Sequence, residues 1–85
     1  MDTYSVRIGR TAERELRDIS KSDLDRILRR IRSLGADPRP SGCMKLSGAD
    51  GYRIRQGDWR VIYLVDDAAR RVDVVKIGHR REVYR

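Results

Sequence analysis

The fold is decided by the stretch YRIRQGDWRVIY, residues 52–63. Its first four residues alternate, with Arg53 and Arg55 each following an apolar or aromatic residue, which is the period of two typical of a half-buried strand. Residues 56–58 are turn formers, and residues 59–65 form a dense run of β-formers. The stretch therefore predicts a β-hairpin that carries its arginine pair on one face.

Working outward from this hairpin, the apolar spacing predicts four further elements. Alternation over residues 4–8 and over residues 72–78 is typical of strands. Apolar residues at helical spacing predict two amphipathic helices, over about residues 12–19 and 24–34. Residues 41–51 are polar and glycine-containing, which indicates a loop with room for one short extended piece.

The element order is therefore β-α-α-β-β-β, and its fold class is α+β. We predict a small antiparallel sheet with two N-terminal helices packed on one face, because adjacent helices can cover one apolar side of such a sheet. No repeat, low-complexity tract or linker divides the chain, so residues 1–85 are predicted to form one domain.

The composition points to a polyanionic partner. The 85 residues include 20 Lys and Arg against 13 Asp and Glu, a formal net charge of +7, which favours nucleic acid. A single cysteine, Cys43, cannot form an internal disulfide, and no Cys or His cluster could hold a metal, so no cofactor is expected. No apolar run approaches a membrane span and the charged first residues are unlike a signal peptide, which predicts a soluble, cytoplasmic protein.

Basic residues concentrate in the hairpin. Arg53 and Arg55 share one face of their strand, and Arg60 lies inside an apolar run, where a charge is costly unless it reaches solvent or a partner. If the hairpin pairs as predicted, Arg60 lies across from the other two. Like charges this close destabilise a sheet unless an anion joins them, so the three arginines are candidates for phosphate binding.

The residues after the last predicted strand add His79, Arg80, Arg81 and Tyr84 to the same end of the sheet. Cleavage of RNA by its own 2′-hydroxyl needs a base, charge stabilisation at phosphorus and help for the leaving oxygen. Arginines supply the charge stabilisation at phosphorus and could assist the leaving oxygen. The candidate bases are Tyr84 and His79, and positive neighbours would favour the phenolate of Tyr84.

Residues 52–63, the closing run VVKIGHRREVY of residues 74–84, and the step from Lys45 through Leu46 to Gly48 resemble the RelE/ParE toxin superfamily. The similarity extends over essentially the whole chain and implies a RelE-like fold of the microbial ribonuclease type. For the RelE-type branch it implies a toxin of a type II toxin–antitoxin system. Such a toxin is a ribosome-dependent endoribonuclease (mRNA interferase) that cleaves mRNA in the A site, inhibits translation and is neutralised by a RelB-like antitoxin.

The resemblance also implies roles for individual residues. Arg60 would hold the scissile phosphate, Arg80 would support the transition state or the leaving group, and Tyr84 would be the general base. The implied RNA-binding residues are Lys45, Arg53, Arg55, His79 and Arg81. The best-known RelE has lysines where this chain has Arg53 and Arg55, and arginine does not accept a proton at working pH, so these two positions would serve electrostatics alone.

Two other functions fit the same sequence. A ParE-like protein would inhibit DNA gyrase by binding, without RNA cleavage, and it lacks the full set of arginines and tyrosine found here. A non-catalytic nucleic-acid-binding module would keep its toxicity when Tyr84 is replaced by Phe and lose it when the charges are removed. The RelE-type nuclease is the main prediction.

Overall fold

A computed structural model describes residues 3–47 and 51–80 of the chain. Two helices and five strands follow one another in these residues. Their bounds are β1 (Ser5–Ile8), α1 (Arg10–Leu16), α2 (Lys21–Ser33), β2 (Met44–Lys45), β3 (Gly51–Gln56), β4 (Trp59–Asp66) and β5 (Arg71–His79). The short strand β2 is the extended piece for which the sequence left room between the second helix and the hairpin.

The strands form one sheet in the order β1-β5-β4-β3-β2. The α+β class is confirmed, but the sheet is mixed and not antiparallel throughout, because β1 pairs with β5 in parallel. The two hairpins reverse the chain twice, so β5 runs in the same direction as β3. β1 is joined to the rest of the sheet through two helices, and its parallel direction is set by this crossover, which strand periodicity does not encode.

Both helices pack on the same face of the sheet, as predicted. Ile27, Ile31 and Leu34 of the second helical segment are fully buried, and the apolar stripe seen in the sequence forms the helix side of the core. The sheet side consists of strand residues that alternate, except where the pairing irregularity of β4 with β5 separates the last two by three positions: Ile54, Val61, Tyr63, Val65, Val72, Val74 and Ile77. Burial of each large aliphatic side chain contributes about 1.5–3 kcal/mol, so this layer holds the helices on the sheet.

The β3–β4 hairpin has the predicted position and a two-residue loop, Gly57-Asp58, between the paired residues Gln56 and Trp59. Gly57 has a φ of +62°, in the region that disfavours residues with a Cβ. A glycine with positive φ at the first loop position is typical of a type II′ turn, whose twist matches that of the flanking strands. The turn thereby fixes the register that places Arg55 opposite Arg60.

The other face of the sheet carries the arginines and has no helix over it in the described residues. None of the described helices combines the length and the apolar character needed to cross a membrane.

Candidate active site

Four arginines lie together at the end of the sheet near the β3–β4 turn. Arg53 and Arg55 project from β3 to the face opposite the core, and Arg60 of β4 is the direct cross-strand partner of Arg55. Arg80 directly follows β5, and its backbone N–H donates to the Asp58 carbonyl at 2.8 Å, which holds it beside the turn. Two strand pairings and one hydrogen bond therefore bring together arginines that are far apart in the sequence.

Arg60 is the most constrained member of this cluster. Its side chain is 8% exposed, and its Nη1 donates to the carbonyls of Gly57 (3.3 Å) and Trp59 (3.2 Å). Within the described residues its Nε has no hydrogen-bond partner. Burial lowers the pKa of Arg60, and the charges of Arg55, Arg53 and Arg80 lower it further. An arginine remains charged at neutral pH, so this environment favours an anion.

Arg53 lines a shallow cavity together with Arg55. It is 8% exposed, and its Nη2 lies 2.7 Å from the Sδ of Met44, its cross-strand partner on β2. The cavity has a volume of about 310 Å³ and is lined by Arg30, Gly42, Met44, Arg53 and Arg55. Three of the five lining residues are cations and none is an acid, so the cavity suits an anionic group.

An acidic residue that the sequence analysis did not place at the site lies on its rim. The Oδ1 of Asp58 is 3.9 Å from the Nε of Arg80, and the charge of Asp58 partly offsets the repulsion at Arg60. Asp58 looked like an ordinary turn residue. Its position next to the end of β5 depends on the register between β4 and β5, which no local pattern reveals.

Lys45 and His79, two of the predicted RNA-binding residues, do not lie with the arginines. Lys45 pairs with Tyr52, on the face of the sheet opposite to Arg53. His79 pairs with Trp59 and contacts its ring edge-on, with the centroids 5.6 Å apart. The Trp59 indole donates to Asp23 of α2 at 3.3 Å, so this pair is on the helix side. RNA binding by these two residues remains a prediction.

Two other predicted site residues, Arg81 and Tyr84, lie outside the described residues. The described arginines can bind a phosphodiester and stabilise the negative charge that develops on it during in-line attack. They cannot accept the proton of a 2′-hydroxyl. Within residues 3–47 and 51–80, no group of three or more His, Cys, Asp or Glu side chains is placed to hold a metal ion.

Comparison with known proteins gives matches that cover nearly the whole chain. The family model for the ParE toxin of type II toxin–antitoxin systems matches residues 6–84. The RelE chain of the archaeal RelE–RelB complex from Pyrococcus horikoshii is similar with a TM-score of 0.85 and 31% identity, covering 95% of this chain and 99% of that one. No curated protein matches this sequence.

Two further solved structures have the same fold. One is the RelBE2 toxin–antitoxin complex of Mycobacterium tuberculosis, with a TM-score of 0.81, 25% identity, and coverage of 91% of this chain and 98% of that one. The other is the isolated E. coli RelE toxin, with a TM-score of 0.78, 27% identity, and coverage of 95% and 90%.

Proposed function

Because this chain belongs to the ParE toxin family of type II toxin–antitoxin systems, in the RelE-type branch of the RelE/ParE superfamily, we propose that it is a ribosome-dependent endoribonuclease. It cleaves mRNA in the ribosomal A site and so inhibits translation in the cytoplasm. The observation that supports this proposal is the cluster of four arginines around Arg60, which is 8% exposed and has an Nε without a hydrogen-bond partner in the described residues.

In the proposed reaction the 2′-hydroxyl of the cleaved nucleotide attacks the adjacent phosphorus. The phenolate of Tyr84 takes the hydroxyl proton, the 2′-oxygen bonds to phosphorus, and the bond from phosphorus to the 5′-oxygen breaks. The products are a 2′,3′-cyclic phosphate and a 5′-hydroxyl, which forms when the leaving 5′-oxygen takes a proton from water. Arg60 holds the phosphate, while Arg53, Arg55 and Arg80 stabilise the charge on its oxygens and on the leaving group.

The proposed partners are the ribosome with its mRNA and a RelB-like antitoxin. The toxins of P. horikoshii and M. tuberculosis that resemble this chain are each in a complex with their antitoxin. An antitoxin that binds this chain would have to offset or cover its net charge of +7. An acidic binding segment is therefore expected.

The proposal is tested with ribosomes programmed with a defined mRNA, by mapping the 5′ ends of the products. Wild-type protein is expected to cut in the A-site codon and to leave naked mRNA intact. Tyr84→Phe and Arg80→Ala are each expected to lower the cleavage rate by at least about 10²-fold, the typical contribution of acid–base or electrostatic catalysis. Arg17→Ala is the matched control, because this exposed arginine at the end of α1 contributes to no part of the cluster.

Equal loss of cleavage in Arg17→Ala and Arg80→Ala would show that net charge alone matters. Intact mRNA on the ribosome with folded wild-type protein would refute the nuclease assignment. Circular dichroism of each variant separates a lost activity from a lost fold.

A further inference from the structure

A second basic surface lies on α2, on the helix side of the molecule. Arg26, Arg29 and Arg30 line a shallow cavity of about 380 Å³ together with Ser33 of the same helix and Gln56 of β3. No carboxylate lines it, and in the described part of the chain none of the three guanidinium groups is in an ion pair. The similar cavity on α1, which Arg10, Arg14 and Arg17 line, includes Glu13.

This α2 surface is continuous with the arginine cluster of the sheet. Arg30 lines both the cavity on α2 and the cavity that contains Arg53 and Arg55. The connection passes over the edge of β3. Strand β2 pairs only with Tyr52 and Arg53, so in the described residues no strand covers β3 between residues 54 and 56 on that side. One extended polyanion can therefore contact both basic surfaces.

Helix stability does not account for these arginines. Arg30 lies in the last turn of α2, where a cation interacts favourably with the helix dipole. Arg26 and Arg29 lie in the middle of this 13-residue helix, and the spacings of three and four residues within the trio bring like charges together, which destabilises a helix slightly. Asp25 is four residues before Arg29, yet the two form no ion pair among those that the described residues make.

We propose that Arg26, Arg29 and Arg30 form a second RNA-binding site, which holds the phosphodiester backbone of the strand whose scissile phosphate the sheet arginines bind. This inference rests on the proposed function for the identity of the polymer. The three guanidinium groups contact phosphates, and the Gln56 amide lies at the cavity wall within reach of a sugar hydroxyl. The site lengthens the bound strand beyond the cleaved nucleotides and adds affinity that does not depend on sequence.

The experiment measures binding without ribosomes, in a Tyr84→Phe background that prevents cleavage. Fluorescence anisotropy of an unstructured RNA of about twelve nucleotides, a length within the range that single-strand binding sites span, is recorded over a series of salt concentrations. The test variant is the triple substitution Arg26→Gln, Arg29→Gln and Arg30→Gln. The control is the triple substitution Arg10→Gln, Arg14→Gln and Arg17→Gln on α1, which removes the same charge from the other half of the helix layer.

The α2 triple variant is expected to lower the magnitude of the salt slope by about 2, because each phosphate contact with single-stranded RNA contributes about 0.7. The α1 triple variant is expected to keep the wild-type slope.

Three results would overturn the proposal. The first is an equal decrease in the magnitude of the salt slope in both triple variants, which would show that RNA binding depends only on the net charge of the protein. The second is no binding of the longer RNA by the parent protein. The third is unchanged RNA binding by the α2 variant with weakened binding of a polyglutamate peptide, which would mark a docking surface for an acidic protein. Because the measurement involves no cleavage, its failure is distinct from a failure of the nuclease assignment.

Discussion

At the scale of the single residue, Arg60 is a buried charge that is expected to lower the stability of the fold. Its guanidinium is buried next to three other arginines, and its Nε has no hydrogen-bond partner among the described residues. Replacement of a buried ionic group by an apolar side chain of similar length often stabilises a protein. We expect Arg60→Met to raise the free energy of unfolding by about 1 kcal/mol and the melting temperature by about 4–8 °C. The same variant should lose cleavage on the ribosome by at least about 10²-fold.

The control for this prediction is Arg60→Lys, which keeps a buried charge and removes the planar fork that binds phosphate with two hydrogen bonds. It should lose activity without any gain in melting temperature. A melting temperature below wild type for Arg60→Met would instead assign Arg60 a structural role, through its hydrogen bonds to the turn carbonyls.

The sequence identified this residue because a charge inside a run of β-formers is conspicuous, and strand alternation placed Arg53 and Arg55 on the same face. Alternation gave no face for Lys45 or His79, and a shift of one residue in register moves a side chain to the other side of the sheet. Lys45 is in a strand of two residues, too short to show a period. His79 comes after an irregularity in the pairing of β4 with β5 near Ile62 and Tyr63.

At the scale of the element, the loop between α2 and β2 is held by Arg39. The guanidinium of Arg39 forms two hydrogen bonds with the carboxylate of Asp67, at 2.8 and 3.2 Å, and its Nε donates to the Tyr52 hydroxyl at 2.9 Å. The Tyr4 hydroxyl also donates to Asp67. This network ties the loop that includes Gly42, in the wall of the arginine cavity, to the β4–β5 turn.

The network should make stability depend on pH. The hydrogen bonds from Arg39 and Tyr4 lower the pKa of Asp67 from 3.8 to about 2. A carboxyl with a lowered pKa contributes stability above its unfolded value and loses that contribution as it is protonated. We expect Asp67→Asn to be less stable than wild type at pH 7, and the difference to disappear as the pH falls from about 4 to about 2. Thermal unfolding of both proteins across this range measures the effect.

Asp25→Asn is the matched control, because Asp25 is exposed and forms no ion pair in the part of the chain that the structure describes. Its melting temperature should follow that of the wild type at every pH. A constant difference between Asp67→Asn and wild type down to pH 2 would show that Asp67 acts through its shape and not its charge.

Apart from the two-residue strand β2, the elements were largely predictable because each has a strong period, whereas their connections were not. The stripe of α2 and the hairpin of β3 and β4 follow from local spacing. The Arg39 network could not be predicted, because its two charged partners are 28 residues apart and meet only after the sheet has formed. The parallel pairing of β1 with β5 could not be predicted for the same reason, because it depends on how the helices cross the sheet.

At the scale of the whole molecule, the fold is compatible with more than one activity, and only the residues of the site distinguish between these activities. The family model that matches residues 6–84 carries the name of ParE, while the P. horikoshii and E. coli structures of the same shape are RelE toxins. One scaffold can host unrelated functions, so overall similarity does not separate a gyrase inhibitor from a nuclease. The distinguishing feature is the arginine cluster with its two buried members, Arg53 and Arg60, which suits a phosphodiester and has no evident use in a surface that only binds a protein.

We therefore expect DNA gyrase to supercoil plasmid DNA at its normal rate in the presence of this protein, at concentrations well above those that complete mRNA cleavage on ribosomes. Agarose gels of relaxed plasmid measure the first rate, and the mapped 5′ ends measure the second. A gyrase inhibitor would give the opposite pair of results, and Arg60→Met would then leave inhibition intact. If the same preparation blocked gyrase and cut mRNA, the arginine cluster would have to be tested in both assays, because only the nuclease activity requires a charge buried at the phosphate.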